Sequence, residues 1–331
     1  MPAVSFVLPV YDRPDEIRDL LESMARQTDM DFETVIVEDG SKIPCREECE
    51  RFSGNINLKY FYKENEGRSI ARNYGIDRAD GDFLVFIDSD CILPPDYVEK
   101  LKKELSKTAI DCYGGPDAAH DSFSDVQKAI NFAMTSFLTT GGIRGGKVSM
   151  EKFVPRTFNM GFTRKVYDTV GGFREMFSED IDMSTRIRNA GFSPVLLPDL
   201  YVYHKRRVDL RKFWRQVHVF GMSRITLQLL YPGSMKIVHW LPALFVLFAL
   251  AMVIGAFFSI LCLVPLLIYF LILFIWGSIS MKSVKRGFLG MIAGAIQLFG
   301  YGTGFLRAYI WKIILRHGRD ERQEIEMRRG K

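Results

Sequence analysis

Two apolar runs in this chain break off directly into carboxylates. Phe83-Leu84-Val85-Phe86-Ile87 is followed by Asp88-Ser89-Asp90, and Thr34-Val35-Ile36-Val37 by Glu38-Asp39. Packing alone does not select acids right after a hydrophobic strand. Alternating carboxylates at a strand end can hold a hard cation such as Mg2+ or Mn2+ with one group and a ribose or metal-bound water with the other. Such cations take oxygen ligands and bridge to substrate phosphates. An Asp-x-Asp also occurs as a turn capped by its own side chains, but the strand in front of it favours chemistry. A third acidic group, Ser178-Glu179-Asp180-Ile181-Asp182, opens an amphipathic segment from Ile181 to Ala190. Acids are favoured at a helix N-terminus in any case. The other reading is a carboxylate that faces the cation and acts as general base.

These groups need a scaffold. Val4–Leu8 is a short apolar run ended by Pro9, and Pro14–Gln27 spaces Ile17, Leu20, Leu21 and Met24 as a helix does. Leu58–Tyr62 is a further strand candidate, and Ser69–Ala79 a further helix. Strands alternating with helices imply an α/β fold with a mostly parallel central sheet. Ligands of such sheets bind off the carboxyl ends of the strands, where this chain carries Tyr11, Asp39, Asp88 and Asp90.

Taken together and in order, several short segments make residues 4 to about 225 resemble a family 2 glycosyltransferase of GT-A fold. They are Val4-Ser5-Phe6-Val7-Leu8-Pro9-Val10-Tyr11, Val37-Glu38-Asp39-Gly40-Ser41, Asn65 to Asn73, Phe86 to Asp90, Asn159-Met160-Gly161, Gly171-Gly172-Phe173 and Ser178 to Asp182. The resemblance implies that Pro9 and Tyr11 lie against the nucleotide base, and that Asp39 reads the base or ribose edge. It puts Arg72 near the base or diphosphate, Asp88 near the ribose or metal, and Asp90 on the metal. Asp180 matches the catalytic base, beside Glu179 on the acceptor side. Some relatives complete the metal site with a His at the position of His204; beside Lys205-Arg206-Arg207 it could equally belong to a solvated basic face. Asn159 matches a place where donor sugar or acceptor passes, or is a turn residue. Arg144, in the glycine-rich stretch Thr139 to Gly146, is expected on an acceptor-side lid in contact with a phosphate, or on a plain surface loop.

The implied activity is inverting, Mn2+- or Mg2+-dependent transfer of a sugar from a nucleotide-sugar donor to a lipid-linked or glycan acceptor. Polyprenyl-phosphate sugar synthases are the closest competitor. Processive synthases carry Gln-x-x-Arg-Trp, which Arg215 to Arg224 lacks. Nucleotidyl transfer would need a basic, Gly-rich first loop, which Leu8 to Asp12 is not. A non-catalytic scaffold would have lost one of Asp88, Asp90 and Asp180, and all three are present.

The remaining chain belongs to a different solvent. From Trp240 to Met281 there are 42 consecutive residues without Lys, Arg, Asp, Glu or His. As helix that is roughly 63 Å, against a hydrocarbon core of about 30 Å, so the block fits two crossings. Helices are expected at 237–258 and 260–279, with Pro265 in a first turn, where its missing N–H costs little. A third apolar segment, 287–306, contains Gly290, Gly294, Gly300 and Gly304 at close-packing spacing. Basic flanks before residue 237, at Lys282, Lys285 and Arg286, and in the tail 312–331 face the cytoplasm by the positive-inside rule. If the tail is cytoplasmic too, a re-entrant or interfacial third segment is favoured over a third crossing, and the sequence leaves all three readings open. The expected organisation is therefore a cytoplasmic domain 1–235 ending in an interfacial helix near 208–230, a membrane region 236–311 and a basic tail.

Composition agrees. Net charge is +5, hydrophobic residues are 48% and mean hydropathy is +0.03, which excludes disorder, collagen and a disulfide framework. No signal peptide is expected at the N-terminus, and five cysteines suit reduced thiols. Basic residues cluster beside the lipid block, not on an aromatic platform, so membrane lipid and not nucleic acid is the expected partner.

Overall fold

The computed structural model describes residues 3–118, 120, 123–141, 154–205 and 209–315. Arg144 and the tail from residue 316 onward lie outside the described residues. The chain divides into two compact units: residues 1–120 with 153–205, and residues 121–152 with 206–331.

Among the described residues the strands all lie in the first unit: β1 (Val4–Val10), β2 (Glu33–Asp39), β3 (Asn57–Lys63), β4 (Phe83–Phe86), β5 (Cys91–Ile92), β6 (Cys112–Gly114), β7 (Asp117–Ala118), β8 (Met160–Thr163), β9 (Val195–Leu196) and β10 (Val202–His204). Seven of them form one sheet in the order β3-β2-β1-β4-β8-β6-β9. The β3-β2-β1-β4 half is parallel, and β8 runs antiparallel to β4 and β6. Both faces are covered, which is why β1 and β2 read as nearly unbroken apolar runs. Phe6, Leu8 and Ile36 pack with Ile17, Leu20, Tyr97 and Leu101 on one side. Val7, Val35 and Val37 pack with Ala71, Ile76, Val166 and Ile187 on the other.

Strand order reverses between β1 and β4. Their pairing ends at Val7↔Phe86, so the chain beyond each strand diverges and leaves a crevice. Pro9 sits in β1 past that last partner, where a missing N–H interrupts no second ladder. A small sheet, β5-β10-β7, closes the far side of the Asp-x-Asp loop. It sets His204 opposite Cys91 in antiparallel register, and the Lys205 N–H donates to the Asp90 carbonyl at 2.8 Å.

The second unit is helical. Among the described residues, three helices are long and apolar enough to cross a membrane: Ile237–Gly255, Ile260–Ser280 and Val284–Ile314. Pro265 does lie in the first turn of helix Val264–Ser280. The third segment is one unbroken α-helix, Val284–Ala308, continued by a π-helical stretch Tyr309–Ile314; it has the length to cross, and no break that a re-entrant loop would show. Its glycines are packing surfaces. A Cβ on Gly304 would lie 2.0 Å from the His218 carbonyl oxygen, one on Gly302 2.3 Å from the Pro242 carbonyl oxygen, and one on Gly221 of the facing helix 2.1 Å from the Tyr301 carbonyl oxygen.

The unit boundary differs from the one expected at residue 235. Helix Asp125–Thr135 and helix Leu210–Leu230 belong with the apolar helices, because Ala129, Ile130, Ala133, Met134, Phe213 and Val217 share one core with Ala293. Asp125 also accepts from Arg286 Nε at 2.7 Å and pairs with Lys285 at 2.9 Å, so two charges of the basic loop are met within the unit.

Candidate active site

The crevice between β1 and β4 is lined by the turns that follow the strands. After β1, Tyr11 is 45% exposed, and its ring is open to stacking. Asp12 has φ 52°, a left-handed conformation that a short acid tolerates. Its carboxylate accepts the N–H groups of Lys42 at 2.6 Å and Ile43 at 3.1 Å, and its own N–H donates to Ser41 Oγ. The turns after β1 and β2 are thereby tied together, and Arg13 is set above the Asp-x-Asp loop.

Asp90 lies between two partners. Arg13 Nη1 donates to Oδ2 at 3.0 Å, and His204 Nε2 is 3.1 Å from Oδ1. On its other side the His204 ring has Asp117 Oδ2 at 3.7 Å from Nδ1 and stacks on Phe158 at 5.0 Å. At 3.7 Å Asp117 acts on the imidazole as a neighbouring charge and not through a hydrogen bond. Among the described residues, the one group that could hold a metal ion is Asp90, Cys91 and His204, whose ligand atoms all lie within 4.8 Å of one another. The Asp90 carboxylate suits a hard divalent ion, while the His204 imidazole is a borderline donor and the Cys91 thiol a soft one. Two neighbouring ligands about 2.1 Å from an octahedral ion stand roughly 3.0 Å apart, close to the Asp90–His204 separation. The Cys91 thiol is fully buried and donates to the Phe158 carbonyl at 3.6 Å.

Asp88 is held differently. Arg72 donates from Nη2 to Asp88 Oδ1 at 2.9 Å and from Nη1 to Glu179 Oε1 at 2.9 Å, and Arg68 reaches Glu179 Oε2 at 2.6 Å. Glu179 is therefore an anchor between two arginines. Next to it, Asp180 Oδ2 accepts from Arg156 Nη1 at 3.3 Å, and Oδ1 accepts the Ile181 N–H. Ser178, at φ 65°, turns the chain so that these two acids start the helix Glu179–Asn189. Burial raises the Glu179 carboxyl above its ordinary range, outweighing Arg72 and Arg68. For Asp180 burial acts in the same sense, but Arg156 and Arg68 overcome it and hold the group below its ordinary range. Two adjacent acids pushed apart in this way have the divided protonation that acid–base chemistry uses, and a purely structural ion-pair network produces it as well.

Other expected residues serve the frame. Asp39 is buried, and its carboxylate accepts from Lys63 Nζ at 2.9 Å and from the N–H groups of Glu66 and Gly67 at 3.1 and 2.9 Å. In this structure its oxygens face the protein and hold the turn before helix Arg68–Ile76. Asn159 is wholly buried: its Oδ1 accepts from Tyr97 Oη at 2.6 Å, and its Nδ2 donates to the Leu200 carbonyl at 2.7 Å. The structure does not bring its side chain to the crevice acids. The link between the segments near 73 and 173 is direct, since the Asn73 side chain both donates to the Phe173 carbonyl and accepts its N–H, each at 2.8 Å. Cys45 and Cys49 are buried together beside Glu38, whose carboxylate accepts the Cys45 N–H.

Arg13, Arg68, Asp117 and Arg156 were not anticipated as site residues. Only Arg68, in the quoted Asn65–Asn73 segment, carried a signal that could have found it.

The chain belongs to the glycosyl transferase family 2, whose model matches residues 5–171. Over 267 residues it is 26% identical to glycosyltransferase AglE of Haloferax volcanii, a span of 73% of this chain and 82% of that one. It is 41% identical over 101 residues to the putative glycosyltransferase EpsH of Bacillus subtilis, covering 30% of this chain and 29% of EpsH. Its fold is similar to that of mannosyltransferase PcManGT from Pyrobaculum calidifontis, solved in complex with GDP-Man and Mn2+. That likeness has a TM-score of 0.62 at 17% identity over 90% of this chain and 87% of the other. A further likeness is to S. aureus TarS 1-349 in complex with UDP-GlcNAc, with a TM-score of 0.50 at 18% identity over 92% and 90%. The GT-A architecture with its mostly parallel sheet is thus the fold of this glycosyltransferase.

Proposed function

We propose that this glycosyltransferase moves a sugar, with inversion, from a nucleotide-sugar donor to a lipid-linked or glycan acceptor at the cytoplasmic face of a membrane. The observation that carries the reading is the occurrence, in one unit, of the Asp90–His204 pair and of Asp180, whose chain neighbour Glu179 shares Arg72 with Asp88. Tyr11 offers an exposed ring for the base. Asp90 and His204 would hold Mn2+ or Mg2+, which would supply charge stabilisation for the departing nucleoside diphosphate. Asp180 takes the proton of the acceptor hydroxyl, whose oxygen then attacks the anomeric carbon in line. Asp39 and Arg72 act through what they hold: Asp39 sets the Glu66–Gly67 turn, and Arg72 aims Asp88. The similarity to PcManGT, solved in complex with GDP-Man and Mn2+, supports the donor and cation classes.

The loop Lys282-Ser283-Val284-Lys285-Arg286 supports the cytoplasmic orientation, because lysine and arginine between crossings stay on that side. The deciding experiment compares wild type with Asp180→Asn on UDP-, GDP- and dTDP-sugars with Mn2+ or Mg2+, offering polyprenyl phosphate and glycan acceptors in separate arms. Turnover should fall by about 10²–10⁴ with donor binding retained. Wild-type turnover in the variant would sink the base assignment, and product only on polyprenyl phosphate would make the protein a polyprenyl-phosphate sugar synthase.

A further inference from the structure

Both oxygens of Asp90 are engaged by cation-capable groups. Oδ1 faces His204 Nε2 at 3.1 Å, and Oδ2 accepts from Arg13 Nη1 at 3.0 Å. Arg13 leaves the chain from a turn fixed by the left-handed Asp12 and its two backbone bonds, so the fold itself aims the guanidinium at the carboxylate. Arg13 Nη1 also has Glu16 Oε2 at 3.2 Å. The arginine side chain is 30% exposed against 12% for Asp90. It can therefore move while Asp90 stays, and Glu16 gives it a carboxylate to keep.

We propose that Arg13 is a built-in competitor for the divalent cation at Asp90. The inference rests on the reading of Asp90 as a metal ligand given above. A doubly charged ion and a guanidinium repel each other on one carboxylate, so an ion that binds Asp90 does so against Arg13. The arginine holds the carboxylate in its ligating position, and its charge weakens ion binding until it withdraws to Glu16. Arg13 is a positioning residue, with a thermodynamic signature that a purely structural ion pair lacks: its removal strengthens metal binding.

The test uses the full chain in detergent micelles with MnCl2 alone and reads free Mn2+ by electron paramagnetic resonance. Nucleotide is left out because a diphosphate would give Arg13 another anion. Arg13→Gln should bind Mn2+ about three- to tenfold tighter than wild type, the worth of one partly exposed ion pair. Arg13→Lys, which keeps the charge, should stay near wild type, and Asp90→Asn should abolish the gain in the Arg13→Gln background. Unchanged or weaker binding by Arg13→Gln, with Asp90→Asn still weakening the wild type, would overturn the competition and leave the metal site standing. Equal tightening by Arg13→Lys would overturn it too, since charge would not be the cause. If Asp90→Asn changes nothing in either background, the metal reading falls and the competition with it.

Discussion

Arg72 and Glu179 lie 107 residues apart, and their side chains meet at 2.9 Å with only 3% of each exposed. The same guanidinium reaches Asp88 at 2.9 Å. One buried arginine therefore joins the acid after β4 to the acid beside Asp180, and the spacing of the two acidic motifs depends on it.

Removing that arginine should be costly. Arg72→Met leaves Glu179 with Arg68 alone and is expected to destabilise the fold by about 3–5 kcal/mol, measured by denaturant titration in detergent. A loss below about 1 kcal/mol, the size of an ordinary substitution, would mean that the link carries no structural weight.

Arg156 should set the acid limb of the pH profile. It is the largest charge influence holding the Asp180 carboxyl down against burial, and Asp180 works ionised. Arg156→Ala removes that influence, the Asp180 pKa rises, and the pH of half-maximal kcat/KM on the acid side moves upward. An unshifted limb would detach Arg156 from the base.

Asn159→Leu tests the frame role of Asn159. It leaves the Tyr97 hydroxyl and the Leu200 carbonyl without this partner, at a cost of about 1–3 kcal/mol, while folded protein binds donor as wild type does. Loss of donor affinity at unchanged stability would return Asn159 to the donor path.

Gly304→Val should loosen the packing of helix Val284–Ala308 on helix Leu210–Leu230. Its first added carbon would meet the His218 carbonyl oxygen at 2.0 Å, and forced overpacking costs about 1–3 kcal/mol. Gly54→Ala, where nothing lies within 4 Å, is the control and should leave the melting temperature unchanged.

Asp88 and Asp90 were legible as candidates because an apolar strand runs straight into carboxylates, and Asp180 because acids open an amphipathic helix. His204 has no such local pattern and was legible only through the resemblance; the structure places it at the end of β10. The arginines were not legible, because a partner such as Arg13 for Asp90 is chosen by how two turns approach, and no local spacing encodes that. Asn159 shows the converse limit. Its place in the chain could be read, but the direction of its side chain is set by Tyr97 and Leu200, which lie far away in sequence. The same holds for helix Asp125–Thr135, whose packing on Ala293 joins segments far apart in sequence.

That last pairing bears on how the protein is made. Helix Asp125–Thr135 interrupts the strand-bearing unit, yet its core partners Phe213, Val217 and Ala293 come later in the chain. During synthesis its apolar face gains Phe213 and Val217 first and is covered in full only after the ribosome has passed helix Val284–Ala308. A fragment truncated near residue 235 to obtain a soluble enzyme would retain Ala129, Ile130, Phe213 and Val217 without Ala293, and so would carry a sticky surface in place of a domain boundary.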